Sequence, residues 1–192
     1  MLHCISHFTG ESIVKEAKDK IISQITRSIE KRHWTVMGVF PTSEDIPGDH
    51  TTDGLAFAYT IGLTSLGLPE LFMCGPFDIA AMANILNSAG EKMRAEQQPL
   101  PVDVPIEGLI HIPLMAQDVP DDAMRKISYL AHDHYGKPLA FQQIIWPDEN
   151  NRFPADTASQ FTLNGKFFAK QPLLGTHVEF QPAKQADKVQ AE

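Results

Sequence analysis

The stretch FAYTIGLTSLGLPELFMCGPFD, residues 57–78, decides the fold more than any other part of the chain. Its first half alternates: Phe57, Tyr59, Ile61 and Leu63 are large, while Ala58, Thr60, Gly62 and Thr64 are small. A strand shows alternate residues to opposite sides, so this strand has one bulky face and one nearly bare face. The bulky face needs a core. The bare face lets a helix, a partner or a ligand approach the backbone, and a helix is the simplest occupant. After the turn residues of TSLGLPE comes LFMCG, a second apolar strand, and the two predict a hairpin. Gly75 and Pro76 end it. Pro76 and Asp78 suit a helix N-terminus.

Working outward, Ile79, Met82, Leu86, Ala89 and Met93 mark one face of a helix behind the hairpin. Upstream, Val14, Ala17, Ile21, Ile25 and Ile29 mark another over residues 11–32, with Thr9 as a plausible N-cap. HWTVMGVF reads as a strand stopped by Pro41, and PTSEDIPGDHTTDG as a long polar loop. Downstream of the Pro-rich connector AEQQPLPVDVPIEG, LIHIPLMAQDV reads as a strand with Ile110, Ile112 and Leu114 on one face and His111 opposite. Residues 118–136 read as a third helix ending at Gly136, with Ala123, Ile127, Leu130, Ala131 and His134 as its stripe. LAFQQIIW is the last clear strand, closed by the turn PDENNRFP. FFAKQPLLG is apolar enough to dock on the body. Hairpins and helical crossovers both occur, so the expected class is α/β (α+β): a mixed, partly antiparallel sheet with about three packed helices. The expected layout is a flexible N-terminus over 1–10, a single α/β domain over 11–175 and a polar C-terminal tail over 176–192.

The 192 residues carry 16 Lys and Arg against 24 Asp and Glu, a net charge of −8. An acidic surface disfavours phosphate backbones and anionic lipids, so neither nucleic acid nor membrane is expected as a partner. No apolar run approaches the ~20 residues of a membrane helix. MLHCISHFTG has no basic segment followed by an apolar one, and the two cysteines, Cys4 and Cys74, are too few for a disulfide scaffold. Both point to the cytoplasm.

Several pieces together, HWTVMGV, FAYTIGLTSLGLPELFMCG, the helix containing ILN, AFQQIIWPDENNRFP and QPLLG, resemble an uncharacterised bacterial family, domain of unknown function four-two-six-two. The resemblance runs from His33 to Gly175. It implies no activity, substrate or catalytic residue, since the family has none agreed. Its members often begin with a Cys-x-x-Cys pair where this chain has HCISH, and the position of Cys74 is commonly another residue.

The chemistry-bearing residues are therefore weighed one by one. Cys74 precedes an expected helix N-terminus, which favours a thiolate, and His111 on another strand is a candidate base. Against this, Cys74 stands in an apolar run, where unreactive cysteines sit. Cys4 and His7 are half of a zinc site, and no second Cys/His pair completes it. His132 and His134, two apart on a helix, point about 200° apart and do not share an ion. PDENNRF lacks the Gly and closing Glu of a calcium loop. No cofactor is expected, although a flavin or nucleotide beside Tyr59 and Thr60 is an alternative. Tyr59, Thr60, Gly62 and Thr64 are the candidate ligand- or partner-facing residues. The expected function is a non-catalytic binding module acting on another protein or a small molecule; the alternative is a thiol-dependent hydrolase or transferase using Cys74 with His111. Ile22 beside Ile21, with the apolar FFAKQPLLG, suggests a homodimer.

Overall fold

The computed structural model describes residues 10–40, 56–148, 150–154, 161–163, 166–168, 171 and 173–175. Cys4, His7, the Thr9 cap, the loop over 41–54 and the tail over 176–192 lie outside them. The hairpin forms as its alternation dictates: β2 (Phe57–Ile61) runs antiparallel to β3 (Glu70–Cys74), with Phe57 opposite Cys74 and Tyr59 opposite Phe72. A 3-10 turn, Leu63–Leu66, joins them. On its other side β2 pairs antiparallel with β1 (Thr35–Val39). The six-stranded sheet has the order β1-β2-β3-β6-β5-β4, where β4 is Pro105–Ile106, β5 Leu114–Val119 and β6 Phe141–Ile145. Only β3 and β6, at its centre, are parallel. A small hairpin of β7 (Phe161–Leu163) and β8 (Lys166–Phe168) forms a second sheet.

The bare face of β2 accepts a helix. Helix α2 (Ile79–Glu96) buries Met82, Ile85, Leu86, Ala89, Gly90 and Met93, and Ala58, Leu71, Met73 and Ile144 meet them in one core. Trp34 lies across α2 at Gly90, where a Cβ would come within 3.1 Å of its ring, and its indole N–H donates to Asn87 Oδ1 at 2.9 Å. The bulky face of β2 builds a second core: Phe57, Tyr59 and Ile61 with Phe72, Cys74, Phe141 and residues of α1 (Gly10–Arg32), α3 (Asp121–Met124) and α4 (Tyr129–Tyr135). The sheet is thus sandwiched between α2 and the other three helices, a mixed α+β layering.

Beyond β4, which forms inside the Pro-rich connector, and the β7–β8 hairpin, neither read as strand, three elements differ from their sequence reading. In α1 the inward row is Ile22, Ile25 and Ile29, while Ile21 is 39% exposed; Ile25 and Ile29 belong to both rows, and packing selects Ile22. The strand expected from Leu109 starts only at Leu114. Gly108, at φ +81°, turns the chain, and Pro113 has no N–H for a ladder, so residues 107–113 form a loop. The helix expected over 118–136 is two short helices. Ser128 sits at ψ 40° and its hydroxyl donates to Met124 O at 2.8 Å, a local bond that competes with helix continuation. Gly136, at φ +63°, caps α4 as expected.

Candidate ligand-binding site

The parallel strands β3 and β6 end side by side, and open α/β sheets bind ligands beyond such carboxyl ends. Past β3, Gly75–Phe77 bends into α2, whose cap Asp78 accepts a hydrogen bond from Ala81 N at 2.7 Å. Past β6 comes Trp146. Its indole N–H donates to Cys74 O at 2.9 Å, and its ring meets Phe77 edge-on at 5.1 Å. A Cβ on Gly75 would fall 2.9 Å from both rings, so only glycine permits this pairing of the two strand ends. The turn after Trp146 is closed by Asp148, which is buried. Its Oδ1 accepts from the backbone N–H of Asn150 and Arg152, both at 2.9 Å, and its Oδ2 from the Arg152 side chain at 2.8 and 2.5 Å. Burial pushes this carboxyl up, but the bonds from Arg152 and Asn150 outweigh it and hold the carboxyl below its ordinary range.

Between these strand ends, the first turns of α2 and the 107–113 loop lies a cavity of about 440 Å³. Its walls are mostly apolar: Met73 from β3, Phe77, Ala81 and Ile85 at α2, Ile110 and Ile112 from the loop, Leu114 from β5, and Trp146. Asn84, His111, Asn151 and Asp148 supply the polar part of the lining. A few polar groups in an apolar concavity of this size are what small-molecule sites consist of.

Of the residues singled out from sequence, His111 lines this cavity and is exposed. Cys74 does not. Its neighbour Met73 points into the α2 core and the cavity, whereas the Cys74 thiol packs with Phe57, Tyr59 and Phe72 on the opposite sheet face. Tyr59 is fully buried in that same core, and burial pushes its phenol well above the ordinary range. Gly62 meets backbone: a Cβ there would fall 2.4 Å from His33 O and from Trp34 Cα, and its φ of +137° suits glycine. Thr60 is fully buried, its hydroxyl donating to Glu70 Oε2 at 2.6 Å and accepting from Leu71 N at 2.8 Å. Thr64, half-buried, borders a separate groove of about 720 Å³ at the other end of the sheet, with Lys137 and Gln142.

The sequence reading passed over the centre of that β2–β3 turn. Glu70 is fully buried, and its Oε1 accepts from Gly62 N and Thr64 N at 2.9 and 3.0 Å. Its Oε2 accepts from Leu63 N at 3.3 Å besides the Thr60 hydroxyl. A lone acid opening an apolar strand was the available signal. A second cluster resembles a catalytic relay in residue type only. His132 Nε2 lies 2.9 Å from Asp121 Oδ1, and its Nδ1 lies 3.3 Å from Ser128 Oγ. That serine is fully buried, its hydroxyl is given to Met124 O, and its own carbonyl is nearer to Nδ1, at 3.0 Å. The cluster clamps the α3–α4 joint. Among the described residues no group of three His, Cys, Asp or Glu side chains is placed to hold a metal ion, and no helix is long and apolar enough to cross a membrane.

The family model Domain of unknown function (DUF4262) matches residues 28–160. The chain belongs to this family. The match takes in β1 through β6, so the strand ends, α2 and the loop that enclose the cavity are all family territory. Neither a curated protein nor a solved structure matches the chain.

Proposed function

We propose that this DUF4262 protein is a non-catalytic binding module that holds a small, largely apolar molecule in the cavity at the carboxyl ends of β3 and β6. The observation that carries the reading is the cavity itself: about 440 Å³, apolar over most of its wall and enclosed by the 107–113 loop. The placement of Cys74 supports binding over thiol chemistry, because its sulfur packs in the core on the sheet face away from His111. The test is a thermal-shift screen of small apolar compounds against the wild type and Ala81→Trp, whose indole would fill the cavity. Compounds that raise the melting temperature of the wild type and not of the filled variant support the reading. Equal shifts in both proteins contradict it.

A cytoplasmic location and a two-fold dimer belong to the same proposal. The surface we assign to the dimer is that of Ile21 on α1 and Tyr129 on α4, both exposed, beside the Lys18–Asp133 ion pair that links the two helices. Leu174 packs on the same core as Ile22.

A further inference from the structure

Resting on the cavity reading, we infer that the ligand is an apolar or aromatic carboxylic acid, with its carboxylate at His111 and its body against Trp146. Which polar groups of the wall remain open to a ligand decides this. The Asp148 carboxylate offers about four acceptor sites, and the backbone and side chain of Arg152 with Asn150 N occupy them. It therefore has no acceptor left for an amine or hydroxyl, and the Arg152 charge balances its own. The indole N–H of Trp146 is committed to Cys74 O. Asp78, at the start of α2, accepts from Ala81 N. Among the described residues, what remains is His111 and the side-chain amides of Asn84 and Asn151, three groups that can each present an N–H and that each also carry an acceptor. A carboxylate accepts only and takes several donors at once, so it can use the N–H of His111 and of any amide within its reach. Hydrogen bonds to an ionised acceptor are also about twice as strong as neutral ones. The rest of the wall is apolar and includes the aromatic rings of Phe77 and Trp146, which suit an aliphatic or aromatic body.

Isothermal titration with three compounds of one shape tests this: 2-naphthoate, 2-naphthylmethanol and 2-naphthylmethylamine. The full chain should bind the acid roughly tenfold more tightly than the alcohol or the amine. His111→Leu should abolish that preference, weakening the acid far more than the alcohol, and His111→Gln, which keeps an N–H donor, should retain most of it. His111 is an exposed loop residue, so neither variant threatens folding. Equal affinity for acid and alcohol, or an acid preference that survives His111→Leu, overturns the carboxylate inference and leaves the cavity reading standing. Absence of binding by all three compounds, or binding undiminished in Ala81→Trp, overturns the cavity reading itself.

Discussion

Glu70 shows how one side chain can hold a turn that local preference leaves open. Its carboxylate gathers the N–H groups of residues 62, 63 and 64, which the 3-10 turn exposes, together with the Thr60 hydroxyl. Glu70→Gln would set an NH₂ group against donors, and the cost of a buried unmet donor predicts a loss of about 2–4 kcal/mol in urea unfolding. An unchanged midpoint would mean the network is ornamental. Gly62 stands at the same turn for a different reason. A methyl group there meets His33 and Trp34 main-chain atoms that cannot swing aside, in a backbone region unfavourable to other residues. Gly62→Ala should therefore cost about 2–4 kcal/mol, with Gly67→Ala, where a Cβ meets nothing, as the milder control. The bare face of β2 is legible in the sequence because size alternation is itself the packing rule. The Glu70 network is not, because it exists only once the chain has folded back over eight residues.

At the scale of elements, acid carboxylates tie short pieces that could not hold alone. Asp121 joins α3 to α4 through His132 and to the approach of β6 through Leu139 N at 2.7 Å. Burial raises its carboxyl, but the bonds from Leu139, His132 and Arg125 outweigh that and hold it below the ordinary range. Asp148 does the same for the turn after β6. Carboxyls with depressed folded values contribute stability that is fully present above their unfolded values and is lost as pH falls through the folded ones. Stability should therefore drop as pH is lowered below about 5, and Asp148→Asn should flatten that slope while lowering stability at neutral pH. Melting temperatures from pH 7 to 3 check it; an unaltered slope in the variant would assign the acid sensitivity elsewhere. The hairpin is legible from its size alternation and α2 from its one buried face. The split of α3 from α4 and the loop over 107–113 are not, because Ser128, Gly108 and Pro113 act through backbone geometry against an apolar pattern that continues across them.

For the whole molecule, the same loop is what makes a cavity. Had Leu109–Pro113 extended β5, Ile110 and Ile112 would have joined the sheet; instead they roof the space between α2 and the ends of β3 and β6. His111 is visible in the sequence as a group of interest, but its separation from Cys74 appears only in the fold, where β6 stands between β3 and β5 and the Cys74 thiol packs in the core on the other sheet face. The dimer proposal makes its prediction here: sedimentation at micromolar concentration should give twice the 21.3 kDa chain mass, and Ile21→Glu should return it to one. A monomer in the wild type would remove the α1–α4 face from the account. The central claim, that the cavity binds a small molecule, is tested most directly by amide and indole chemical-shift mapping during titration with 2-naphthoate. The account predicts shifts concentrated at Met73, Phe77, Ile110, Ile112 and the Trp146 indole. Shifts centred instead on the Thr64–Lys137 groove, or none at saturation, would contradict it.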